Sequence, residues 1–197
     1  MIENLDLYTP DFLIDCKHLK LSSEVYPIMR KQGIKRAYVY GMVFNPKPLK
    51  FDFLKVGMSA PVLGEKREHQ VGERIVRQAS WIPGWDEPHP YSGNGSEFWH
   101  NINDRLIANN ILPDDFNKNN LKIAVWDITA RVNYNVILSD DEEFTLSTWA
   151  EGELAQQYKN NNSGKLPLLN ITDPTKTKIY NGAYIRKDVF SKLFDFS

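Results

Sequence analysis

Tyr38 and Tyr40 lie two residues apart in "AYVY", and Lys55 interrupts the apolar run "FDFLKVGM" just before Val56 and Gly57. On a strand, residues two apart point to one face, so both phenols share a side, and a lysine on the neighbouring strand can share it too. A cation there would favour the ionised form of a phenol whose ordinary pKa is about 10, and a tyrosinate can accept a proton from water. Further along, Arg74 and Arg77 stand one helical turn apart in "ERIVRQAS". A guanidinium pairs with two phosphate oxygens at once. Plainer readings stand beside these. Tyrosine favours strands for its own sake, Lys55 can face solvent with Gly57 marking a bulge or strand end, and arginines commonly solvate a helix face.

The elements that must position these residues follow from pattern. "KRAYVYGMVF" (35–44) has a strand's aromatic and β-branched content and ends near two prolines, and "FDFLKVGM" (51–58) returns as its hairpin partner across a wide loop. In "GEKREHQVGERIVRQAS" (64–80), Val71, Ile75 and Ala79 recur every fourth residue, which predicts a helix. Residues 81–98 turn to Pro, Gly and aromatics and read as an ordered irregular loop. A helix is expected over 97–112, a strand at "LKIAVWDI" (121–128) that "YNVIL" (134–138) continues or pairs with, and a helix over 143–160. "NNNSGK" (160–165) reads as a loop, and "KIYNGAYI" (178–185) with "RKDVFSKLF" (186–194) as a last strand and helix. The order predicts one α+β domain over 1–197, with a small mixed or antiparallel sheet flanked by helices.

Composition narrows the classes. A chain of 197 residues with 42% hydrophobic content builds a real core and is not disordered. The single cysteine, Cys16, excludes an intramolecular disulfide and a cysteine-built zinc site. His18, His69, His89 and His100 lack metal-ligand spacing, and neither a phosphate-cradling G-x-x-x-x-G-K-[ST] loop nor a G-x-S-x-G elbow occurs. The net charge of −1 argues against indiscriminate coating of nucleic acid. Basic residues nonetheless gather over 17–36 and 165–187, apart from the acidic run at 140–143, so one basic surface can exist on a neutral molecule. The opening "MIENLDLYTPDF" carries acids and no apolar segment, and no apolar run approaches membrane-spanning length. The expectation is a soluble, cytoplasmic protein whose N-x-S/T matches at Asn94, Asn161 and Asn170 carry no glycan.

In order along the chain, "AYVY", "KVGMS", "ERIVRQAS" and "TWAEGELAQQY", then "LPLLN", resemble the GIY-YIG nuclease superfamily, in its branch with lysine in place of the second tyrosine. In that family a first strand carries a tyrosine, a second carries a Y-I-G or K-I-G tripeptide, the next helix an arginine, and a later helix a metal-binding glutamate. The resemblance spans 37–170, with an insertion at 81–120 and a C-terminal extension at 171–197. It implies an endonuclease that hydrolyses DNA with one Mg²⁺ or Mn²⁺. Tyr38 takes the first-motif place as base or water-orienter, with Tyr40 beside it. Lys55 opens the tripeptide, and Arg74 is the phosphate clamp with Arg77 second in line.

"EGELAQQY" and "PLLN" put Glu151 in the metal-binding register ahead of Glu153, with Pro167 and Asn170 following. One carboxylate cannot enclose an ion, so water and phosphate oxygens would complete the shell. A structural role competes, because "TWAE" is also a capping box with Thr148 as the N-cap. Many family members carry a histidine one turn after the arginine. Gln78 stands there instead, leaving that role vacant or for another residue such as His69 or His100. Substrate contacts are expected from Arg77, His100 and Asn170. The alternative is a fold of this kind that binds nucleic acid or a partner protein without cutting.

Overall fold

The computed structural model describes residues 5–34, 37–44, 53–59, 71–87, 106–108, 115–131, 139–170 and 172–176. At its centre is β2 (Tyr38–Phe44), all seven residues of which are buried. Such a strand must have neighbours on both edges and cover on both faces. The edges are supplied by β3 (Phe53–Ser59) and β4 (Leu121–Asp127), and β1 (Phe12–Asp15) pairs with the far side of β4, giving the order β1-β4-β2-β3. Every pairing is antiparallel, so of the two arrangements expected for the sheet the antiparallel one is present. The fold is α+β. β3 is an edge strand, and this exposes one side of it to whatever the helices bring.

Alternation along β2 divides the interior. Tyr38, Tyr40, Met42 and Phe44 join a cluster with Val25 and Met29 of α1 (Val25–Lys31) and with Ile75, Val76 and Ala79 of α2 (Glu73–Ala79). Val39 and Val43 face the other way, with Val56, Met58 and Trp126, onto α4 (Asp140–Asn161). A short helical turn, α3 (Ile128–Arg131), leads out of β4. The N-terminal segment is tied to α4 by Gln157, which accepts from the Leu7 N–H at 2.8 Å and donates to the Leu5 carbonyl at 2.7 Å.

Several expectations change. β1 and α1 lie in a region given no element from sequence. Of the helix expected over 64–80, α2 begins at Glu73, because Val71 and Gly72 form a turn with Gly72 at a φ of +92°, a left-handed conformation, and residues 64–70 lie outside the described residues. α4 starts at Asp140 and not at 143, capped by Ser139 with Glu142 returning to the Ser139 N–H. Of the helix expected over 97–112, residues 106–108 are described, and they are helical. The strand expected at 134–138, the strand and helix expected over 178–194, and most of the extension at 171–197 lie outside the described residues. No helix among the described residues is long and apolar enough to cross a membrane.

Candidate active site

Tyr40 is the hub of the site. It pairs with Gly57 across the β2–β3 ladder, and a Cβ built on Gly57 would lie 2.5 Å from the Tyr40 hydroxyl and 2.6 Å from Cζ. The phenol therefore crosses β3 where that strand has no side chain. This is the reason for glycine after Lys55-Val56: it makes room for a ring, and no bulge is needed. The Tyr40 hydroxyl donates to Gln78 Oε1 at 2.6 Å, and the positive charge of Arg74 acts on the phenol. Tyr38, on the same face, has its ring centroid 6.4 Å away. Its hydroxyl accepts the Gly72 N–H at 3.1 Å and is hydrogen-bonded to Ser59, its cross-strand partner. Gly72 thus begins α2 in a conformation that turns an amide toward the site.

Lys55 is paired with Met42 and so points to the face that carries the tyrosines. Glu151 arrives from the other side. α4 packs its Leu146, Ala150 and Leu154 against the opposite face of the sheet. Among the described residues no strand lies beyond β3, and the charges of Lys55 and Arg74 are felt at the Glu151 carboxylate. Glu153 turns elsewhere and accepts from Gln157 Nε2 at 3.2 Å. Thr148 is no N-cap: it lies within α4 and donates to the Phe144 carbonyl at 2.8 Å. The capping-box reading of Glu151 therefore fails.

The electrostatics revise one expectation outright. The sequence pointed to Lys55 as the cation that promotes a tyrosinate. Burial instead pushes both Tyr38 and Tyr40 above the ordinary phenol range, and the cation opposing this is Arg74. Lys55 works on Glu151. Burial lowers the lysine's pKa while Glu151 holds it up. Burial pushes the Glu151 carboxyl up to about 7, against the pull of Arg74 and Lys55. Two cations do not fully compensate this carboxylate.

The remaining expected residues separate. Arg77 is exposed on α2, one turn from Arg74. Asn170 is buried, and both ends of its amide are engaged with Val56: Oδ1 accepts the Val56 N–H and Nδ2 donates to the Val56 carbonyl, each at 2.9 Å. That amide is directed at the outer edge of β3, where it positions the strand. His100 and His69 lie outside the described residues. Gln78, Ser59 and Gly72 are contacts that sequence reasoning missed. The only sign was the position of Gln78, where a histidine was sought. Among the described residues no group of three His, Cys, Asp or Glu side chains could hold a metal ion. No family profile, curated protein or solved structure matches this chain.

Proposed function

We propose that this chain is a divalent-metal-dependent endonuclease of the GIY-YIG type, hydrolysing DNA phosphodiester bonds. The observation that carries the reading is the convergence of Tyr40, Arg74, Lys55 and Glu151 from β2, α2, β3 and α4 at one edge of the sheet. A neutral cluster of core residues would have no use for three charges there.

The donor set fits Mg²⁺ or Mn²⁺. The Glu151 carboxylate is under-compensated, and a divalent cation answers that deficit. Lys55 and Arg74 weaken the attraction of the free protein for a cation, so phosphate oxygens and water must complete the shell. When bound, the ion supplies positive charge for the leaving oxygen. The protein's own groups divide the rest. Arg74, exposed on α2 and acting by its charge on Tyr40, clamps phosphate oxygens. Arg77, a turn away, meets the neighbouring backbone. Both phenols stay neutral near pH 7, so Tyr38 and Tyr40 orient other groups and do not abstract the proton from water. Lys55 holds Glu151 in place.

A second reading, a nucleic-acid- or protein-binding module that does not cut, draws on one observation: both tyrosine hydroxyls are buried and already hydrogen-bonded. Plasmid nicking with and without Mg²⁺ separates the two. Glu151→Ala is expected to lower Mg²⁺-dependent nicking at least about a hundredfold with DNA retained in a gel shift, while Glu153→Ala changes little. Wild-type protein that shifts DNA but nicks none with either metal is the module.

A further inference from the structure

Tyr40 has one hydroxyl proton and two lone pairs, whereas a guanidinium only donates. The proton goes to Gln78 Oε1 at 2.6 Å, and the positive charge of Arg74 acts on the same phenol. Gln78 and Arg74 are four residues apart on α2, hence neighbours on one helix face, and one phenol from the sheet is bonded to the first and feels the charge of the second. If nothing took its proton, the hydroxyl could rotate and present that proton to the guanidinium, which would repel it. We infer that Gln78 is a positioning residue that aims Arg74 through Tyr40: by accepting the hydroxyl proton it keeps the phenol oxygen an acceptor for the guanidinium, whose other N–H groups remain for phosphate. Gly57 belongs to the same device, because only a strand position without a side chain lets the buried phenol reach both partners. The acceptor is an amide, so this arrangement does not depend on a titrating histidine at position 78. The inference rests on the endonuclease reading only for the phosphate that Arg74 meets.

The test uses the full-length protein and two readouts, the ¹⁵N Arg74 side-chain Nε–H signal (identified by its loss in Arg74→Lys) and Mg²⁺-dependent plasmid nicking. Gln78→Met keeps the size but removes the acceptor. It should shift the Arg74 signal and lower the nicking rate about tenfold to a hundredfold, the scale of a misaimed catalytic group. Gln78→Glu, which still accepts, should retain the tether and most of the rate. The decisive arm is Tyr40→Phe, which keeps the ring: it should shift the Arg74 signal as Gln78→Met does, and adding Gln78→Met should change nothing further. Additive effects in the double variant, or an Arg74 signal unmoved by either substitution, overturn the inference. If Gln78→Met does not fold, an Arg74 signal that is unmoved in Tyr40→Phe, or that Gln78→Glu displaces as far as Tyr40→Phe does, still overturns it. If the wild-type protein nicks no plasmid, the endonuclease reading falls while the Arg74 signal continues to decide the role of Gln78.

Discussion

The two faces of β2 are buried to the same degree by different means. On one, Val39 and Val43 sit with Val56, Met58 and Trp126 against Leu146, Ala150 and Leu154 of α4. That face is held by contact area, and side chains of similar volume can exchange there at small cost. On that face Trp126 Nε1 donates to the Asp6 carbonyl at 2.9 Å. On the other face Tyr38 and Tyr40 bring hydroxyls into the interior, and each needs a specific partner: a glycine amide, a glutamine, a strand position without a side chain. A buried hydroxyl left unpaired costs about 1–3 kcal/mol. One face therefore tolerates substitution by volume, and the other specifies its neighbours one by one.

The comparison can be broken most forcefully on the apolar side. Trp126→Ala removes the largest fully buried side chain and should cost about 3–5 kcal/mol in chemical denaturation, with nicking per folded molecule unchanged. If nicking per folded molecule collapses with it, the two faces are not independent.

The next effect has the opposite sign and concerns the charged edge of the polar face. Folded Glu151 titrates at about 7 against an ordinary 4.5, so below about pH 4.5 both states are protonated and the group is neutral toward folding. As the pH rises from there, the unfolded chain ionises first, and stability is lost up to and through pH 7. A shift of this size corresponds to about 3 kcal/mol at most. Glu151→Gln should therefore be more stable than wild type at pH 8 by up to that amount, and the gap should close by pH 4.5. Denaturant titrations at the two pH values measure it, and a gap independent of pH would mean that the carboxylate is not the strained group.

The smallest expected effect tests the fit of ring to glycine. Gly57→Ala should cost about 1–3 kcal/mol through crowding of the Tyr40 phenol. In a Tyr40→Leu background the same substitution should cost clearly less, a coupling that thermal denaturation of the four proteins would show. Equal costs in both backgrounds would place the constraint in the backbone of β3.

Legibility from sequence follows the same division. β2, β3 and β4 were readable because aromatic and β-branched residues crowd them, and α4 because it is long. Period-two alternation put both tyrosines on one face and left Lys55 able to share it, and the register that pairs Lys55 with Met42 puts it there. β1 is only four residues, with one of them buried, and α1 carries Pro27 in its first turn, where proline is allowed but disguises a helix. The partner of Lys55 was not readable, because Glu151 reaches it around an edge that exists only once the strand order is known. Nor was the partner of Tyr40, since an amide such as Gln78 announces no chemistry until a phenol is laid against it.

The Asn170 amide has a consequence for how molecules of this protein meet one another. Among the described residues β3 has a strand on one side only, and an unpaired strand edge is a template on which a second chain can grow. At Val56 that template is occupied by a group with a peptide's donor and acceptor but no following residue, so the ladder ends there and cannot propagate. Loss of Asn170 would free the backbone groups of Val56 and is expected to be felt first as fibril or aggregate formation in concentrated protein.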